Sequence, residues 1–63
     1  VNLGKNLVRI LGERGITQRK LASEVGATEM FISYVVNGYK CPSLTLTLKI
    51  ADFLNVSLDE LVK

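Results

Sequence analysis

The stretch TQRKLASEVGATEMFISYVVNG, Thr17 to Gly38, decides the fold. Its apolar residues do not alternate as those of a half-buried strand would. Leu21, Ala22 and Val25 fall at i, i+1 and i+4, and Ile32, Val35 and Val36 at i, i+3 and i+4. Both sets lie on one face of a helix. Thr17 and Thr28 each precede one of these runs, where a side-chain oxygen can accept a first-turn amide. Gly26 follows the first run and can turn the chain sharply through φ > 0. Asn37-Gly38 closes the second. The spacing predicts one helix over Gln18–Val25, a second over Glu29–Asn37, and a joint of a few residues, Val25-Gly26-Ala27-Thr28.

The same punctuation continues on both sides. Upstream of Gly15, Leu3, Leu7, Ile10 and Leu11 form an apolar stripe at i, i+4, i+7 and i+8, which predicts a helix over Leu3–Arg14. Asn2 is its expected N-cap, and the Arg14 stem is expected to cover the end of the stripe. Gly12 inside this helix weakens it by roughly 1 kcal/mol relative to alanine. Downstream, Leu44, Leu46, Leu48 and Ile50 alternate with Thr45, Thr47 and Lys49, taken alone a strand template. Helix is preferred, because Ala51, Phe53 and Leu54 break the alternation and a lone strand would have no partner. Pro42-Ser43 opens this helix, Asn55 closes it, and its expected inner stripe is Leu44, Leu48, Ala51 and Leu54. A last short helix, Leu58–Val62, carries a capping-box pattern, Ser57 to Glu60, with Val56 and Leu61 placed as a hydrophobic staple. Asp59 and Glu60 suit its positive N-terminal end. The expectation is an all-α fold of five helices in a single domain, residues 1–63.

Composition narrows the function. A 63-residue chain is one domain, and with 48% hydrophobic and 22% charged residues it is too apolar for disorder. Cys41 is the only cysteine and there is no histidine. No disulfide, zinc site or histidine base can be built, so neither a cofactor nor an enzyme is expected. No apolar run nears the ~20 residues that span a bilayer, and no signal-peptide pattern opens the chain. A reducing, cytoplasmic setting is expected, with no membrane partner. The chain starts at Val1 rather than Met, which suggests processing or excision from something longer. Net charge is +2. Residues 1–40 carry six basic side chains against three acidic ones, and residues 41–63 two against three. The N-terminal two-thirds is the part suited to a polyanion.

Two short helices about a tight glycine turn, the second capped by Thr and closed by Asn-Gly, make a helix-turn-helix pattern over residues 17–38. In such a motif the second helix lies in the DNA major groove, whose base edges show distinct donors and acceptors, while the first crosses the backbone. Given the inward set of the second helix, its outward set is Glu29, Met30, Ser33, Tyr34 and Asn37. Phe31 is expected at the edge of the core.

Taken in order, Gly15-Ile16-Thr17-Gln18-Arg19-Lys20-Leu21-Ala22, Val25-Gly26, Ile32-Ser33, Asn37-Gly38, Pro42-Ser43-Leu44, Lys49-Ile50-Ala51 and Val56-Ser57-Leu58-Asp59-Glu60-Leu61 resemble the lambda-repressor-like, Cro/CI (XRE-type) helix-turn-helix domain. The resemblance spans nearly the whole chain. It implies a five-helix bundle and a transcriptional regulator, a repressor or the DNA-binding domain of one, acting as a homodimer on a palindromic site in double-stranded DNA. Residue by residue, it implies phosphate contacts from Thr17, Gln18 and Thr28, and base reading by Glu29, Met30 and Tyr34 with Ser33 beside them. It implies backbone contacts from Asn37, Tyr39 and Lys40. The dimer surface is expected near the C-terminal helix, at Leu58, Leu61 or Val62, unless these cover a missing C-terminal domain.

Two features depart from the family pattern. The reading positions lack Arg and Gln, the side chains that make bidentate base contacts, and Glu29 repels phosphate while being able to accept from cytosine N4. Many members also carry an acidic residue before Asn-Gly paired with a base on the first helix; here those places are Val36 and Leu11, expected to touch. The alternative function is a protein-interaction module, an antitoxin or adaptor, for which Met30, Phe31 and Tyr34 would form the surface.

Overall fold

The computed structural model describes residues 2–63. It contains α1 (Leu3–Arg14), α2 (Gln18–Val25), α3 (Glu29–Val36), α4 (Leu44–Leu54) and α5 (Leu58–Val62), with no strand among the described residues. The bounds follow the sequence pattern except that Asn37 is the C-cap of α3 rather than its last turn.

The caps explain why the helices start and stop there. The side-chain oxygens of Thr17, Thr28, Ser43 and Ser57 accept from the amides of Lys20, Phe31, Leu46 and Glu60, at 3.0, 3.0, 3.2 and 3.2 Å. Each cap contributes on the order of 1 kcal/mol. At the other end, Gly38 has φ 82°, its amide donates to Val35, and the Tyr39 amide donates to Tyr34 at 2.8 Å. These two bonds define a Schellman stop. The same pattern ends α1 at Gly15 and α4 at Asn55, whose φ of 56° makes it the one non-glycine in the left-handed region among the described residues. Asn tolerates that region better than other side chains.

Twelve apolar side chains form the core, from Leu7, Ile10 and Leu11 of α1 to Leu61 of α5. Six of the large ones are fully buried: Leu7, Leu21, Ile32, Ile50, Leu54 and Leu61. Each such burial is worth about 1.5–3 kcal/mol. Helix α2 packs on α3 and α4, α1 on α3 and α5, and α4 on α5. Phe31 lies half-buried against the cluster, as expected.

Three expectations are corrected. First, α4 is rotated from its expected phase. Its inner face is Thr47, Ile50, Ala51 and Leu54, while Leu44 and Leu48 are 66% and 50% exposed. Thr47 can sit inside because its hydroxyl donates to the Ser43 carbonyl at 2.8 Å, so no polar atom is left unpaired. Second, Asn2 makes no side-chain cap on α1. Its Nδ2 donates to the Lys63 carbonyl at 2.9 Å, and Asn6 Nδ2 donates to the Leu61 carbonyl at 2.7 Å, so both fasten α1 to α5. Third, Leu61, one of the three residues expected at a dimer surface on α5, is fully buried in the core, whereas Leu58 and Val62 keep part of their surface exposed.

Helix α1 crosses the C-terminal end of α3 at Gly4. A Cβ there would collide with the Val36 carbonyl oxygen and come within 3.1 Å of that of Val35. Leu11 is buried, and Val36 packs partly buried against the same cluster. Val36 is thus seated by its backbone at Gly4 as well as by its side chain. At the far end of α1 the Arg14 guanidinium donates to the Leu54 carbonyl, placing a cation at the negative C-terminal end of α4.

Candidate nucleic-acid interface

The caps that begin α2 and α3 also begin the surface. Thr17 and Thr28 each use an oxygen lone pair on an amide, which leaves the hydroxyl hydrogen as a donor. Both are exposed. Gln18, the first residue of α2, is half-buried. Amides at the two helix N-termini and the positive ends of the helix dipoles add to a surface that favours phosphate.

On α3 the sequence phase holds. Ile32 and Val35 are buried, whereas Glu29, Met30 and Tyr34 are exposed and Ser33 is half-buried. Glu29, Met30, Ser33, Tyr34 and Asn37 share one helical face. Met30 is 65% exposed and Tyr34 38%. The Asn37 amide turns back on its own helix, with Nδ2 donating to the Ser33 carbonyl at 2.8 Å and lying 3.4 Å from the Ser33 Oγ. Asn37 is therefore first a terminator of α3, with its side-chain oxygen left to accept.

Two of the eight Lys and Arg side chains are ion-paired among the described residues. Lys20 pairs with Glu24 at 3.1 Å and Arg9 with Glu13 at 3.5 Å, both exposed i,i+4 pairs worth a few tenths of a kcal/mol. Arg19, Lys5 and Lys40 belong to those with no ion-pair partner among the described residues. The Lys40 ammonium lies 5.6 Å from the centroid of the Tyr34 ring. The Tyr39 ring meets that of Tyr34 edge-on, with centroids 6.4 Å apart and planes at 78°.

Two features escaped the sequence. Lys5 borders a recess of about 210 Å³ that also touches Asn37 and Gly38, so the start of α1 adds a cation beside the end of α3. No local signal marks this, because it depends on the close crossing at Gly4. The Tyr39–Tyr34 contact was readable in principle: the residue after the left-handed glycine commonly packs on the last turn of the helix it ends.

No group of three or more His, Cys, Asp or Glu side chains able to hold a metal occurs among the described residues, and no helix is long and apolar enough to cross a membrane.

A glycine-turned pair of capped helices, the second presenting an exposed polar and aromatic face, defines a helix-turn-helix protein, and residues 7–61 match the helix-turn-helix family. The chain belongs to that family, of the Cro/CI type, and is a DNA-binding regulator of transcription. Among solved structures it is similar to the restriction-modification controller protein C.AhdI from Aeromonas hydrophila, at 30% identity and a TM-score of 0.89, covering 97% of this chain and 92% of that one. No curated protein matches it.

Proposed function

We infer that the chain represses transcription as a homodimer on a palindromic operator, with α3 in the major groove. Glu29, Met30, Ser33 and Tyr34 face the base edges. Thr17, Gln18, Thr28, Asn37 and Lys40 contact the phosphate backbone. The observation that carries this is the pairing of two Thr caps at the start of α2 and α3 with an outward face on α3 that no other helix covers. A two-fold dimer would set two copies of α3 about 34 Å apart, one turn of DNA. The likeness to a protein described as a controller supports a regulatory role.

The reading face has consequences for recognition. Glu29 offers an acceptor to cytosine N4, and Met30 and Tyr34 offer apolar contact to thymine methyls. With no Arg among them, shape and deformability of the duplex carry part of the choice. The strong exposure of Met30 favours a second reading, in which this face docks a protein partner.

Selection of duplexes from a random library, followed by titration against salt, tests the first reading. Expected are two inverted half-sites and binding that weakens steeply as salt rises. Absence of binding to any duplex at low salt transfers the face to the protein-docking reading. Sedimentation of the free and DNA-bound protein reports the dimer.

A further inference from the structure

Tyr39 is 78% exposed, the most exposed of the large hydrophobic side chains among the described residues, and burial does not account for where it points. Its backbone does. Gly38 at φ 82° turns the chain, and the Tyr39 and Lys40 amides both donate to the Tyr34 carbonyl, at 2.8 and 3.3 Å. Tyr39 thus occupies the position whose side chain folds back on the last turn of the helix. What it meets there is the ring of Tyr34, edge to face, and the same ring carries the Lys40 ammonium at 5.6 Å. The Tyr34 hydroxyl makes none of the side-chain hydrogen bonds found among the described residues. Edge-to-face pairs and cations over a ring are directional attractions, so together they restrict the orientation of Tyr34.

We propose that Tyr39 is a positioning residue for DNA reading: it fixes the Tyr34 ring, and with Lys40 joins the base contact and the backbone contact into one unit. The inference rests on the DNA-reading role of α3 stated above. It assigns to an exposed loop aromatic a part in choosing the base pair that it does not itself need to touch. The bland competitor is a helix stop, in which any apolar side chain at position 39 would serve.

Tyr39→Leu and Tyr39→Phe separate the two. Leu keeps an apolar contact for the stop and removes the aromatic ring; Phe keeps the ring. Each variant and the wild type are run through duplex selection, with affinity measured on the best site and on random duplex at one salt concentration. Tyr34→Ala is included to mark the base pair that Tyr34 reads. Expected is that Tyr39→Leu melts with the wild type and, beyond any loss it shares with random duplex, loses about three- to tenfold of discrimination at that base pair. Tyr39→Phe keeps it. In the free protein, the proton contacts between the two rings vanish in Tyr39→Leu. Unchanged discrimination in Tyr39→Leu, or an equal loss on specific and random duplex, overturns the proposal while leaving the DNA reading intact. Failure of the wild type to select any duplex overturns both.

Discussion

Helices α3 and α4 both hold large apolar side chains in solvent, yet they do so for different reasons. On α3, Met30 and Tyr34 stand among Glu29, Ser33 and Asn37, opposite the buried Ile32 and Val35. Polar residues on the outer face and β-branched ones on the inner face fix the phase locally. On α4 the run Leu44-Thr45-Leu46-Thr47-Leu48 repeats every two residues and gives the helix no preferred face. Its phase is set by α2 and α5, which take Ile50, Ala51 and Leu54 inward and carry Thr47 in with them. A threonine goes inside and two leucines stay outside because the Thr47 hydroxyl is satisfied within its own helix. Polarity predicts burial poorly where a side chain can bond its own backbone.

The largest test of that comparison is Ile50→Ala, expected to cost about 2–5 kcal/mol in urea unfolding as a large-to-small change in the core. If Leu48→Ala costs as much, the described phase of α4 is wrong. Next is Gly4→Ala. The added methyl meets the Val36 backbone, so a loss of about 1–3 kcal/mol is expected from overpacking at the seat of α3. A gain in thermal midpoint would show that the crossing is looser than described. Thr28→Ala removes the α3 cap and is expected to cost about 1 kcal/mol. A thermal midpoint equal to that of the wild type would show that the cap is dispensable. Gly12→Ala, with no atom within 4 Å of its new methyl, should gain up to about 1 kcal/mol. The smallest effects come from the two outer faces. Met30→Gln and Leu48→Gln should each change stability by less than about 0.5 kcal/mol. Only Met30→Gln is expected to alter the duplexes selected; a change with Leu48→Gln instead would move the interface to α4.

The helices, their caps and the motif at residues 17–38 were legible because each rests on neighbours in sequence. Thr17, Thr28, Ser43 and Ser57 lie within three residues of the amides they bond. Gly15, Gly26 and Gly38 stop helices through their own backbone. What the sequence did not yield depends on distant partners. Asn2 has the right type and place for a cap, but Lys63 takes its amide from across the fold. Gly4 looks like an ordinary weak helix residue until α3 is laid on it. The nine candidate contact residues could be named because phase and cap position are local properties; the Tyr34–Tyr39 contact is local too, and only the rule for the residue after a left-handed glycine would have pointed to it.

The amides of Asn2 and Asn6 bring the two ends of the described chain to one corner, beside Asn37 and Gly38. Among the described residues Asn2 and Lys63 thus meet. A short glycine linker should join them, and a permutant of these residues opened elsewhere should keep the bundle. The same closeness means that a tag joined at Asn2 or at Lys63 leaves from one place, next to the turn that follows α3. Its charge and bulk would be felt first at that turn.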